Sequence, residues 1–141
     1  MKKWLLGGVE FQSLMPNVSI TLLRLFTGLA LAFGHGLGKI PPSERFVEGV
    51  AKLGFPLPSL FAWFAGGAEF FGGLLLAAGL LTRPSAFFIL ITMAVAAIMR
   101  HASDPFATKE KALLYGFVAL VFLTVGCGKY GLDAVISRRL S

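Results

Sequence analysis

Four long apolar runs separated by short polar breaks dominate the pattern of this chain. The first, Val18–Lys39, reads VSITLLRLFTGLALAFGHGLGK, and its only ionisable residues are Arg24, His35 and the closing Lys39. The second, Ser59–Leu81, carries a single charge, Glu69, while Pro84–Met99 and Ala112–Gly128 carry none. About 20 apolar residues are enough to cross a bilayer as a helix. The last two runs reach that length by extending into flanking charged residues, whose long side chains snorkel. The pattern predicts an all-α membrane protein with one domain over residues 1–141, a four-transmembrane-helix bundle with helices at about 18–38, 59–81, 84–101 and 110–127.

The breaks carry their own signals. Between the first two runs, Ser43 is placed to cap a short helix on which Phe46, Val47, Val50 and Leu53 share one face. Gly54 and Pro56 end it. This predicts an interfacial helix at about 43–53, lying over one mouth of the bundle. Pro16-Asn17 breaks the chain before the first helix. Thr82 is placed to cap the third helix, with Pro84 in its first turn, and Thr108 to cap the fourth. Residues 1–16, with Lys2, Lys3, Trp4, Leu5, Leu6 and Phe11, suit either a segment at the membrane surface or a tail. Glu10 and Gln12 interrupt the apolar run there, which argues against a secretory signal.

Composition agrees with a membrane class. The chain is 56% hydrophobic and 14% charged, against about a quarter charged in soluble domains. The net charge of +6 sits at helix ends, where lipid headgroups and topology account for it, so no nucleic-acid partner is implied. Lys2, Lys3, Arg83, Lys129, Arg138 and Arg139 on the side of the termini balance Lys39, Arg45, Lys52, Arg100, Lys109 and Lys111 on the other. The positive-inside rule is therefore undecided, and the basic residues at the extreme ends favour cytoplasmic termini. The lone Cys127 excludes an intramolecular disulfide or a CxxC pair and is expected to be inert.

The chemistry lies in the few ionisable groups at membrane depth. On a regular helix Arg24 and His35 differ by about 20° around the axis, and Lys39 lies one turn beyond His35. Glu69 falls near the midplane, on a ridge with the small residues Ala65, Gly73 and Ala77 that allows another helix to approach closely. Charges at such depth face a bundle interior. The expected site is thus an intrabundle polar pocket of Arg24, His35, Lys39, Glu69 and His101, on a track that also takes in Arg100. Three readings stay open. Glu69 and Arg24 lock two helices together, the pocket is functional, or Glu69 is exposed in an unusually wet bundle. The histidines serve as proton carriers, quinone donors, metal ligands or ordinary headgroup-level hydrogen bonders. Two histidines on different helices are too few to assign a metal. No P-loop, dinucleotide fingerprint, HExxH or nucleophile elbow is present, so no catalytic residue is assigned.

The ordered set of Arg24-Leu25 with Gly28, His35-Gly36 with Lys39, Leu53-Gly54 with Pro56, and Glu69 with Gly72-Gly73 resembles the DoxX family of small four-helix membrane proteins. The set continues through Gly79-Leu80 with Thr82-Arg83, His101 with Pro105-Phe106, Glu110 to Tyr115 and Gly126 to Asp133. Cys127 departs from it, standing where the family often has proline. The resemblance implies a bacterial inner-membrane protein with cytoplasmic termini and a redox association, similar to the small subunit of a terminal quinol oxidase or of thiosulfate:quinone oxidoreductase. The expected function is an integral membrane subunit that works with a redox partner subunit and binds a quinone-like or other small amphipathic ligand. The alternative is a non-catalytic assembly or chaperone-like module. A small-solute transporter ranks third and would need a homodimer to supply its missing half.

Overall fold

The computed structural model describes residues 7–140. Helix α1, Leu14–Leu31, continues through a π turn, Ala32–Gly36, and a single 3-10 turn, Leu37–Lys39. Then come α2 (Glu44–Lys52), α3 (Pro58–Ala78) and α4 (Thr82–Val95), the last prolonged by a second π turn, Ala96–Arg100. α5 (Phe106–Val125) and the short α6 (Leu132–Arg139) complete the order. The described residues form no strand; Gly8 and Gly126 make one isolated bridge. Of the stretch 1–16 expected at the membrane surface or as a tail, residues 1–6 fall outside the described residues.

Three segments are long and apolar enough to cross a membrane: Leu14–Lys39, Pro58–Ala78 and Thr82–Arg100. Four were expected. α5 is 20 residues long, but Lys109, Glu110 and Lys111 leave only Ala112–Val125 uncharged, about 21 Å of helix. The surface has the polarity of a lipid-facing protein. Leu22, Phe26, Phe33, Phe64, Phe71, Phe88, Ile91 and Phe117 are exposed, whereas Arg24, Glu69, Thr82 and Asp133 are buried. A soluble chain does the reverse. The architecture is multi-pass.

Several boundaries move, each for a local reason. α1 starts at Leu14, with Pro16 inside its first turn, where a missing N–H costs nothing. The buried Asn17 side chain bonds back to Phe11 and to the Ser13 carbonyl, closing that turn. α3 stops at Ala78 because Gly79 takes a left-handed φ of 68°. α2 behaves as its sequence predicts: Ser43 accepts from the Phe46 N–H at 3.3 Å, Val50 is buried, and Glu44, Arg45, Glu48 and Lys52 stay exposed. α5 begins at Phe106 with Pro105 at its cap position, so Thr108 lies within the first turn and caps nothing.

Neighbouring helices run antiparallel. Gly28 lies against Gly73 and Ala77, Gly36 against Phe70, and Lys39 against Gly66. A Cβ on Gly28 or Gly36 would overlap α3 backbone, so glycine is required by the approach of α1 to α3. On the other face of α3, Gly72 meets Ile89, and α4 meets α5 at Met93–Gly116. Leu31, Leu76, Ala86, Ile89, Met93, Ala119 and Phe122 fill the core.

The side holding both termini is stitched by charges that complete helix ends. Arg24, 2% exposed, donates to the Leu76 and Ala77 carbonyls at 3.0 and 2.6 Å and to the Tyr130 carbonyl at 3.3 Å. Arg83 donates to the last carbonyls of α5, Leu123 and Thr124, at 3.1 and 3.0 Å. Asp133 accepts the Leu81 and Thr82 N–H groups at 2.9 Å and so caps α4, the role its sequence assigned to Thr82. Cations thus sit at helix C-termini and an anion at an N-terminus, as the helix dipole favours, and orphan backbone groups find partners where water is scarce. We expect Arg24→Ala to destabilise the protein by about 3 kcal/mol, because two buried carbonyls and that of Tyr130 lose a charged donor. Arg24→Lys should recover little, since an ammonium cannot fork across those acceptors. Unfolding midpoints in detergent measure both.

Candidate functional site

Side chains on a helix lean toward its N-terminus, and this decides where the cations of α1 act. Arg24 leans toward the terminal side and reaches the end of α3. Lys39, at the far end of the same segment, leans back into the bundle and reaches Glu69. Its Nζ donates to both carboxylate oxygens, at 2.7 and 2.6 Å. The Glu69 side chain is 4% exposed and that of Lys39 33%, so the pair joins the interior to the surface of the bundle on the α2 side. Phe46 of α2 covers it, its ring centroid 5.6 Å from Nζ. Both π turns also lie toward this side, and one carries His35. π turns recur at functional positions.

His35 sits edge-on to Tyr115 of α5, with ring centroids 5.5 Å apart. It lies within electrostatic reach of Glu69, Lys39 and Lys111. From Tyr115 a groove of about 230 Å³ opens between α1 and α5, lined by Leu23, Phe26, Thr27, Lys111, Leu114, Tyr115 and Val118. Thr27 is 3% exposed. Thr21, Thr92 and Thr124 each donate their hydroxyl to the carbonyl four residues back. The Thr27 hydroxyl makes no such bond, and neither it nor the Tyr115 hydroxyl has a hydrogen-bond partner among the described residues. Both residues line the groove.

The single five-residue pocket expected from sequence is not what forms. Lys39, Glu69 and His35 gather on the α2 side. Arg24 binds α3 carbonyls seven and eight residues beyond Glu69, about 10–12 Å along the helix, so the Arg24–Glu69 pair is replaced by Lys39–Glu69. The π turn after Leu31 changes the residues per turn, and the regular projection that aligned Arg24 with His35 does not carry through it. His101 pairs through Nδ1 with Asp104 at 2.6 Å, three residues on in the same loop. Arg100 is exposed. The expected Glu69 ridge holds in part: Gly73 and Ala77 meet Gly28, while Ala65 is only half-buried. Thr27, Tyr115 and Lys111 escaped sequence reading, because a threonine in an apolar run shows its missing back-bond only in three dimensions. Tyr115 and Lys111, one turn apart on α5, were the legible signal. Burial pushes the Cys127 thiol up, and Asp133 adds to the rise, in keeping with an unreactive cysteine. No cluster of metal-ligating side chains occurs among the described residues.

The DoxX family model matches residues 19–102. The chain belongs to the DoxX family. In this DoxX protein the matched stretch runs from α1 to the end of α4 and contains Arg24, His35, Lys39, Glu69 and His101; the α5 wall of the groove lies beyond it. A Haemophilus influenzae protein described as "Uncharacterized protein" is 31% identical over 137 residues, 92% of this chain and 90% of its own length. A Bacillus subtilis protein described as "Putative oxidoreductase CatD" is 33% identical over 90 residues, 64% of this chain and 65% of its own length. No solved structure matches the chain.

Removing one member of a buried ion pair strands the other, while replacing both with apolar groups does not. Lys39→Met and Glu69→Leu should each cost about 2–3 kcal/mol, and the double variant less than either alone. Detergent unfolding of the four proteins checks the cycle.

Proposed function

We propose that this DoxX protein is the membrane subunit of a redox system and that its α1–α5 groove takes the head of a quinone-like molecule arriving from the lipid. The observation carrying this reading is that Thr27 and Tyr115, whose hydroxyls have no partner among the described residues, line one and the same groove. Carbonyl oxygens in a dry medium need donors, and both hydroxyls can supply one. Leu23, Phe26, Leu114 and Val118 suit the apolar remainder of such a molecule. A bound quinone would supply two-electron, two-proton exchange. Around it, His35 orders the Tyr115 ring and is a proton-exchanging group beside the groove. Glu69 holds negative charge within reach of His35, and the partly exposed Lys39 links that charge to the aqueous side. The name of the Bacillus relative is consistent with a redox role.

The same proposal makes α5 a fourth span. It runs beside α4 from the Arg83–Leu123 contact to Met93–Gly116, so it lies alongside α4 wherever α4 crosses. Both termini then share one side, read as the cytoplasmic side of a bacterial plasma membrane. A C-terminal fluorescent-protein fusion should glow and a C-terminal alkaline-phosphatase fusion should be inactive; the opposite pair of results would place the termini outside.

A second reading, a non-catalytic assembly module, is favoured by the capture of both Glu69 oxygens by Lys39. Binding of decylubiquinone to the purified protein separates the two. Thr27→Val and Tyr115→Phe should each weaken it about tenfold, the loss of one hydrogen bond of about 1.4 kcal/mol. Glu69→Gln should leave binding intact but abolish quinone-linked turnover in membranes. Unaltered binding in the Thr27→Val, Tyr115→Phe double variant leaves only the assembly reading.

A further inference from the structure

A second, larger groove lies on a different face of the bundle, between α3 and α4. It encloses about 330 Å³ and is walled by Trp63, Phe64, Phe71 and Phe88, with Gly67 and Gly72 lining it on the α3 side. Along α3 it extends from Trp63 to Leu75, twelve residues or about 18 Å, centred on the level of Glu69. Its lining contains no ionisable residue. One lining side chain is both polar and deeply buried: Ser85, in the first turns of α4 near the terminal side, is 4% exposed. The Ser85 hydroxyl has no hydrogen-bond partner among the described residues and does not count among the fully enclosed orphan atoms, so it reaches the groove surface. Buried hydroxyls are ordinarily paired, and this one is unpaired at the edge of an aromatic channel.

We infer that the α3–α4 groove is a binding site for a neutral, single-chain lipid whose hydroxyl or carbonyl head bonds Ser85 while its hydrocarbon chain lies along the aromatic wall toward Trp63. The channel runs six residues to either side of Glu69, so a chain whose head sits at Ser85 passes the midplane on its way to Trp63. The lack of a cation separates this ligand from a fatty acid or phospholipid, whose charge would go unpaired here. The groove is distinct from the Thr27–Tyr115 groove, so the inference stands whatever that other groove binds.

Trp63 makes the site observable. In a Trp4→Phe background it is the remaining tryptophan, and a brominated chain lying in the groove quenches it. Adding dibromostearoyl monoglyceride to the detergent-solubilised protein should give saturable quenching. A Cβ on Gly67 meets nothing nearer than the Phe71 ring at 4.0 Å, so Gly67→Phe should fold, fill the groove and abolish saturation with an unchanged melting temperature. Ser85→Ala, which removes only the hydroxyl, should raise the half-saturating concentration at least about fivefold, and it decides the matter should Gly67→Phe prove unstable. Non-saturable quenching in the parent protein, or a Ser85→Ala curve superimposable on the parent's, overturns the site. Equal affinity for dibromostearate at alkaline pH overturns the assignment of a neutral head.

Discussion

The close approach of α1 to α3 is the contact on which everything else depends. Gly28 and Gly36 let α1 settle onto the α3 backbone at Gly73 and Phe70, and only at that separation do two charges cross the interface. At the terminal end Arg24 reaches the final carbonyls of α3. At the opposite end Lys39 reaches Glu69. Between lipid-facing helices there is little hydrophobic driving force. Backbone proximity and charged closures at both ends therefore hold the pair, and a larger side chain at either glycine would separate both closures at once.

The two ends differ in what their charges bind. On the terminal side, Arg24, Arg83 and Asp133 are committed to backbone groups at helix ends, and the loop carrying Cys127 is buried among them. That end is built for rigidity. On the α2 side, Lys39 meets Glu69 and His35 meets Tyr115 through side chains. These groups can exchange protons or partners without opening a helix. The polar chemistry of the molecule is thus concentrated at one end of an otherwise apolar bundle, beside the seam where α1 and α5 make few contacts.

The seam and the second groove follow from the same economy. α3 packs with α1 on one face and α4 on another, and its glycines let both neighbours come close. Where a neighbour is missing or small residues line the face, the lipid side keeps a channel rather than a packed wall. Each channel holds a buried hydroxyl that its own helix does not satisfy, Thr27 in one and Ser85 in the other.

Much of the architecture was legible before any coordinates. The apolar runs named the long helices, Ser43 and Gly54 bracketed the short helix α2, and the depth of Glu69 marked it as an interior charge, because length, capping and desolvation are local properties of a sequence. Partnership was not legible. Whether Glu69 meets Arg24 or Lys39 depends on the direction in which helical side chains lean and on a π turn that changes the angular register of α1. Likewise, the capping of α4 by Asp133 rather than Thr82 brings together residues about fifty positions apart. One-dimensional pattern establishes which groups must be buried and paired; only the packing of helices against one another selects the pairs, since each choice is made by distances that no run of residues encodes.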